Sequence, residues 1–481
     1  MIHRRLYFCT NIASHNFLRL RRREFSLNYS KKKLYNLTVE AVDLKKIFGT
    51  DGVRGVAISE LTVELAMKIG KAAACLFAPN GGKILIGKDT RISSSSLEAA
   101  IAAGITSCGA DAVLLGVLPT PAVAFLTKIS SSNAGIVISA SHNSFEFNGI
   151  KIFNNQGFKI SSIEQDTIEN LISNDFKNIS VCKPESIGTI RKDKYFISKY
   201  VKYLKSLLRS VNLKVAFDFA NGAASYCALK VFGEMVNCEF LNSVPDGINI
   251  NKNCGSTNLS FLSHYVVKNG FDLGIAFDGD ADRCLAVDKN GEIIDGDHII
   301  AALALEMQKN SELEPNIVVG TMMSNMGFEN FLKDNKIDFI RAKIGDRFVA
   351  EEMKKSGALI GGEQSGHVIF SKYSTTGDAI LTAIMLINLI SETRDSSGIS
   401  NLFKPYPQFI KNIKISKENN LLESDDFKNC IKNIENILAS SGRVFCRESG
   451  TEPLIRVMCE SSSANDLEKA EKELEKFISS L

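Results

Sequence analysis

Apolar and polar positions along the chain fall into two rhythms. Short apolar runs such as "KILIG" (Lys83–Gly87), "AVLLG" (Ala112–Gly116) and "AGIVISA" (Ala134–Ala140) read as buried strands. Between them lie helical stretches such as Ser95–Ser107. Strands and helices in turn predict βαβ units and a mixed or parallel sheet under helices. The rhythm restarts at "LKVAFDFANGAA" (Leu213–Ala224) and again at "NIVVGTMMSNMG" (Asn316–Gly327). Three α/β units of similar size are therefore expected. Charged, Ser- and Asn-rich stretches separate them, around 184–194 and 391–401. The C-terminal part changes character. Strand (Ile410–Ile415), helix (Asp426–Ser440), two strands (Gly442–Cys446 and Pro453–Cys459) and helix (Ala464–Ile478) predict a smaller α+β domain.

Length agrees: 481 residues, at ~100–200 per domain, suggest three or four domains. The expected division is an unstructured extension at 1–43, α/β domains at 44–187, 188–288 and 289–401, and the α+β domain at 402–481. Hydrophobic residues make up 44% of the chain, enough for sizeable cores, and the formal net charge is only +3. That balance gives no push toward nucleic acid or an anionic membrane. The apolar run Ala379–Ile390 is about 12 residues, shorter than the ~18 of a span, and reads as a buried helix. Eleven cysteines are scattered without a C-x-x-C pair, which fits reduced thiols in a cytoplasmic protein. The first 36 residues are rich in arginine and lysine, and Glu24 is their only acid. They read as an unstructured extension or an upstream start, with a transit peptide as the alternative.

Four polar constellations interrupt the apolar runs. In "GIVISASHNSFEFNGIKIF" (Gly135–Phe153), Ser141, His142 and Asn143 follow a buried strand, and Lys151 comes ten residues after Ser141. A lone serine there is usually a helix cap. Consecutive polar groups favour an activated nucleophile instead, and no G-x-S-x-G elbow accompanies it. In "FDGDADRCLAVD" (Phe277–Asp288), Asp278, Asp280 and Asp282 alternate. In an extended chain they would share one side and repel unless a cation lay between them. Arg283 and Lys289 stand where an EF-hand needs glycine and glutamate, so Mg²⁺ is the better fit. In "GGEQSGHVIF" (Gly361–Phe370), the glycines predict an exposed turn carrying Glu363, Ser365 and His367, groups able to bind sugar hydroxyls. In "CRESGTEPLIRV" (Cys446–Val457), Arg447, Ser449, Gly450 and Thr451 suggest a phosphate cradle. Together these predict phosphoryl transfer on a phosphosugar.

These motifs, with "FGTDGVRG" (Phe48–Gly55), "GKDTRISS" (Gly87–Ser94), "PDGINI" (Pro245–Ile250), "RAKIGDR" (Arg341–Arg347) and "TTGD" (Thr375–Asp378), resemble those of the α-D-phosphohexomutases from about Ile47 onward. The resemblance implies three α/β domains with mixed sheets and a smaller C-terminal α+β domain around a central cleft. It implies that Ser141 carries a phosphoryl group as phosphoserine. Its phosphate and Asp278, Asp280 and Asp282 would hold Mg²⁺. Arg54, His142, Lys151, Arg283 and His367 would surround the transfer. Glu363 and Ser365 would bind the sugar, and the Arg447–Thr451 loop the non-reacting phosphate. The implied reaction interconverts glucosamine 6-phosphate and glucosamine 1-phosphate through a sugar bisphosphate, for UDP-N-acetylglucosamine synthesis. A homodimer is common in the family.

Two positions depart from the family's pattern: Ser144 replaces a usual proline, and Glu448 adds a negative charge to the cradle. Action on glucose or mannose phosphates is the rival reading, and Gln364 argues against it. A non-catalytic phosphosugar sensor is a more distant alternative, disfavoured because Ser141, Lys151, His367 and the aspartates are all present. The basic extension has no apolar periodicity that could dock as a helix face. Deleting residues 1–40 should therefore leave specific activity and melting temperature unchanged. A fall of several degrees would show that it packs on the core.

Overall fold

The computed structural model describes residues 46–481 except 50, 178, 180–181, 194, 211, 236, 415–420 and 449–453. The N-terminal extension lies outside the described residues, as do Ser449, Gly450 and Thr451.

Four sheets follow one another along the chain. The first has six strands, in the order Val53–Val56, Phe147–Asn154, Ala134–Ile138, Lys83–Lys88, Asp111–Val117 and Ile190–Lys192. Its first two pairings are antiparallel and the others parallel. The second sheet orders Ile293–Ile294, Cys284–Asp288, Leu273–Phe277, Val215–Asp218 and Cys238–Leu241, again partly antiparallel and partly parallel. The third orders Asp338–Ala342, Ile317–Thr321, Ile360–Gly362 and Val368–Phe370. The last is a three-stranded antiparallel sheet with Leu454–Ser461 between Gln408–Lys414 and Gly442–Glu448. Three α/β units with mixed sheets and a smaller α+β unit are thus present, as the apolar rhythm predicts.

The central strands owe their place to continuous apolar runs. All five residues of Ala134–Ile138 and all five of Leu273–Phe277 are buried, as strands covered on both faces require. Ser141 and Asp278 follow the carboxyl ends of these two strands, where open α/β sheets bind ligands. The helix Ala379–Thr393 is a buried helix, capped by the Asp378 carboxylate, which accepts the Leu381 amide at 3.0 Å. No helix among the described residues is long and apolar enough to cross a membrane.

On the first sheet, helices Val63–Phe77 and Ser94–Thr106 meet backbone to backbone. A Cβ on Gly70 would stand 2.4 Å from the Ile101 carbonyl oxygen, and one on Gly104 2.1 Å from that of Met67. Only hydrogen at both positions allows this approach. Gly104→Ala gains helix propensity but must push the helices apart, and overpacking of ~1–3 kcal/mol outweighs the ~1 kcal/mol gain. Its melting temperature should fall below wild type. An unchanged or higher midpoint would show that the helices can separate freely.

Candidate active site

Ser141 sits in a left-handed backbone conformation, φ 52°, and is fully buried. A non-glycine residue adopts that conformation only where its surroundings hold it. Here they do. The Ser141 carbonyl accepts from Arg91 Nη2 at 3.1 Å and from Asn251 Nδ2 at 2.9 Å, and its amide donates to Ser139 Oγ at 2.9 Å. Arg91 is itself buried and ion-paired with Asp89. Arg91 and Asn251 also donate to the Asn143 carbonyl, at 2.5 and 2.9 Å, so the whole turn is pinned. The Ser141 hydroxyl donates to Asp278 Oδ2 at 2.5 Å.

The loop Asp278–Asp282 approaches from the second sheet. A Cβ on Gly279 would lie 2.6 Å from the Ser141 carbonyl oxygen, so glycine is what lets the two loops touch. The three aspartates converge, with ligand oxygens within 4.8 Å of one another. An extended chain is not the reason. The strand ends at Phe277, and a tight turn with Ala281 in a left-handed conformation, φ 54°, gathers the carboxylates. Burial, with Asp282 and Asp280 beside it, pushes the Asp278 carboxyl well above its usual range. Asp280 Oδ1 and Asp282 Oδ1 are buried without a hydrogen-bond partner. Hard, unsatisfied oxygens at this spacing suit a hard divalent cation.

Lys151 enters from the first sheet, 1% exposed. Its ammonium donates to Asp280 Oδ2 at 2.9 Å and Asp282 Oδ2 at 3.0 Å, and lies 3.3 Å from Asp51 Oδ2. Burial alone would lower its pKa, but Asp280, Asp282 and Asp51 hold it well above the usual value. Burial pushes the Asp282 carboxyl up, but Lys151, His367 and Arg283 together outweigh it and keep that carboxyl well below its usual range. Thr120 Oγ1 adds a bond of 2.6 Å to Asp280 Oδ2. Asp51 also pairs with Arg54 and Lys159, and Lys159 continues to Asp346 of the third unit. Arg54 Nη1 donates to Asn143 Oδ1 at 3.2 Å.

The two histidines differ. His142 Nδ1 lies 2.9 Å from Arg283 Nη1. A guanidinium can only donate, so this nitrogen carries a lone pair. Burial, Arg283 and Arg54 draw the His142 pKa down to about 4, which keeps the ring neutral. His367 Nε2 accepts from the Gly377 amide at 2.9 Å, so in this arrangement its proton is on Nδ1, 3.8 Å from Asp282 Oδ2. Burial opposes a second proton, but Asp282 and Asp346 prevail and raise the pKa. The two carboxylates thus favour the doubly protonated ring.

The turn bearing His367 is not the exposed turn that its glycines predict. Glu363 and Ser365 are half-buried and His367 is buried. The turn packs against the start of helix Gly296–Lys309: Gly296 N–H donates to the Gln364 carbonyl at 2.9 Å, and Gln364 Nε2 to Asp295 Oδ2 at 3.0 Å. Cys284 N–H, next to Arg283, donates to the Gly366 carbonyl at 2.9 Å, tying the turn to the aspartate loop. Ser365 Oγ donates to Glu363 Oε2 at 3.3 Å. The Glu363 charge reaches both Arg283 and His367.

One assembly thus unites Arg54, Ser141, His142, Lys151, Asp278, Asp280, Asp282, Arg283 and His367, with Glu363 and Ser365 beside it. Among the described residues, no hydrogen bond or ion pair joins Arg447 to it. Arg447 faces Arg456 across the last sheet. Two guanidiniums directly opposed repel, and burial with Arg456 lowers the Arg447 pKa. Arg91, Asn251, Lys159 and Gly377 support the site without having been singled out. Three of them stand in or beside recognisable motifs: Arg91 in "GKDTRISS", Gly377 in "TTGD", and Asn251 directly after "PDGINI".

Comparisons with known proteins place this geometry. Family models described as phosphoglucomutase/phosphomannomutase alpha/beta/alpha domains I, II and III and C-terminal domain match residues 45–178, 195–291, 295–408 and 410–477. A phosphoglucosamine mutase of Clostridium botulinum is 46% identical over 442 residues, covering 90% of this chain and 98% of its own. A solved phosphoglucomutase/phosphomannomutase family protein from Burkholderia thailandensis has a TM-score of 0.76 at 21% identity, covering 90% of this chain and 97% of its own. An N-acetylphosphoglucosamine mutase of Aspergillus fumigatus, solved in complex with GlcNAc-6P and magnesium, has a TM-score of 0.61 at 15% identity, covering 90% and 94%.

A Cβ on Gly377 would stand 2.5 Å from Cδ2 and 2.6 Å from Nε2 of His367. Gly377→Ala should displace the ring and lower turnover by about a hundredfold, the order expected for a misplacement of ~1 Å. Steady-state kinetics beside a melting curve check this. Wild-type turnover in a folded variant would show that the ring's position is immaterial.

Proposed function

The chain belongs to the phosphoglucomutase/phosphomannomutase family, the α-D-phosphohexomutases, and on that premise we propose that it works as a phosphoglucosamine mutase, interconverting glucosamine 6-phosphate and glucosamine 1-phosphate. The observation that carries the chemistry is the Ser141 hydroxyl, strained into place and bonded to Asp278 beside Lys151, Asp280 and Asp282.

In this reading phospho-Ser141 passes its phosphoryl group to the sugar's O1. The bond from phosphorus to Oγ breaks as the bond to O1 forms. The bisphosphate turns over, and the 6-phosphoryl group returns to Ser141. Asp278, Asp280, Asp282 and the serine phosphate would hold Mg²⁺, which when bound neutralises charge on the transferring group. Lys151, Arg54 and Arg283 offer cations to the phosphoryl oxygens. His367 is the group able to take up or release the hydroxyl proton. His142, kept neutral, orients Arg283. Glu363 and Ser365 face the sugar. Arg447, opposite Arg456, would grip the idle phosphate together with Ser449, Gly450 and Thr451.

Glucosamine is preferred to glucose or mannose on the 46% identity to the Clostridium botulinum enzyme. Gln364 carries less of this choice than its place in the motif suggests, because its amide anchors the turn to Asp295. The product would serve UDP-N-acetylglucosamine synthesis. Every described cysteine is a free thiol, in keeping with a cytoplasmic enzyme, and a homodimer is the proposed assembly.

The test is to assay the full chain, primed with glucose 1,6-bisphosphate, on glucosamine 6-phosphate and glucose 6-phosphate side by side. A higher kcat/KM for the glucosamine phosphate is expected. Equal or reversed values would move the protein to the phosphoglucomutase branch. Ser141→Ala should lower turnover by at least about a thousandfold while the melting temperature holds. Chelation should abolish wild-type activity and Mg²⁺ restore it. Full activity after thorough chelation would remove the metal from the reaction.

A further inference from the structure

Away from the site, two thiols face each other across the close helix contact of the first unit. Cys75 lies in the last turn of helix Val63–Phe77, and Cys108 two residues beyond helix Ser94–Thr106. Their sulfurs are 3.6 Å apart. Among the described residues, no other two cysteines share a hydrogen bond. The separation is set by the backbone, because Gly70 and Gly104 bring the helices as near as they can come. Both cysteines are half-buried, so a small oxidant reaches them. A disulfide bond of ~2.05 Å requires the sulfurs to close by about 1.5 Å, which side-chain rotation supplies.

We propose that Cys75 and Cys108 form a redox site, which hydrogen peroxide oxidises to an intramolecular disulfide and a dithiol reductant reopens. The Cys108 sulfur attacks one peroxide oxygen. The O–O bond breaks, the sulfur becomes a sulfenic acid, and the other oxygen leaves as water with the thiol proton. The Cys75 sulfur then attacks the sulfenic sulfur. The S–O bond breaks, and the oxygen leaves as a second water with the Cys75 proton. Two thiols and one peroxide give one disulfide and two waters, and two electrons pass from sulfur to oxygen.

The local chemistry assigns the two roles. The hydrogen bond shared with Cys75 draws the Cys108 thiol down against its burial, and the Ser107 hydroxyl, which has no counterpart at Cys75, and the Lys71 ammonium add to this. The same bond pushes the Cys75 thiol up. The sulfur with more thiolate character attacks first, and its neighbour resolves the sulfenic acid. The bridge would close a segment spanning 33 positions and restrict the unfolded chain. It touches none of the groups around Ser141, so it acts as a staple on the first unit. Cys182 is the competing partner, since a Cβ on Gly109, next to Cys108, would lie 3.4 Å from its sulfur.

The experiment treats the full-length reduced protein with one equivalent of hydrogen peroxide and maps its peptides without reduction. The expected product is a Cys75–Cys108 cross-link that dithiothreitol removes. The oxidised protein should melt a few degrees higher, with turnover within about twofold of the reduced form. Cys75→Ser should leave a dimedone-reactive sulfenic acid at Cys108, and Cys108→Ser should leave Cys75 unoxidised. The proposal is overturned if both cysteines stay free while other thiols oxidise. It is equally overturned if Cys108 links to Cys182, or if the bridged protein melts lower. The wild-type map decides the matter even if a variant fails to fold.

Discussion

Much of this structure follows from one buried ammonium. Lys151 is 1% exposed, and a cation so far from water must be surrounded by carboxylates or lose its charge. Asp51 comes from its own unit, and Asp280 and Asp282 come from the next. Those carboxylates then need compensation themselves. Lys159, Arg54, Arg283 and the dipoles of Thr120 and His367 supply it. Lys159 passes the demand on to Asp346, so a third unit is drawn in. The units dock where their charges balance, and the cluster holds their loops in register.

The balance is incomplete in an instructive way. Asp51, Asp278, Asp280, Asp282, Asp346 and Glu363 are six acids, against the four cations Lys151, Lys159, Arg54 and Arg283. The surplus falls on Asp278, whose carboxyl burial and its two neighbours push upward. A doubly charged phosphoserine and a divalent cation add opposite and equal charges. Loaded together, they would leave the field at Lys151 and Arg283 nearly unchanged. Binding either alone would disturb it, so the proposed phosphoserine and cation would be thermodynamically coupled.

The fold was readable in the sequence because its central strands are covered on both faces and show as unbroken apolar runs, Ala134–Ile138 and Leu273–Phe277. The aspartates were readable as a group, but not the reason they meet. Alternation suggests an extended chain, whereas Ala281 turns it by a left-handed residue that no local pattern announces. Flanking glycines predict an exposed turn for His367. Its ring is surrounded by Asp282, Asp346 and Gly377, which come together only in the fold. Arg91 and Lys159 are not legible in the sequence for a similar reason. An arginine or lysine in a polar stretch looks solvated until its partners, Ser141 and Asp346, arrive from elsewhere.

The separation between Lys151 and its partners also matters while the chain is being made. Asp280 lies 129 positions downstream of Lys151. At ~5–20 residues per second, a ribosome needs on the order of ten seconds to cover that distance. Throughout that interval the nascent first unit has Asp51 beside Lys151 but lacks Asp280 and Asp282, the two carboxylates that its ammonium bonds. Lys151 must stay hydrated, and the Ser141 turn must wait for Asn251 to be held. The first unit therefore leaves the exit tunnel with its business end open, and its last stage of folding belongs to the second.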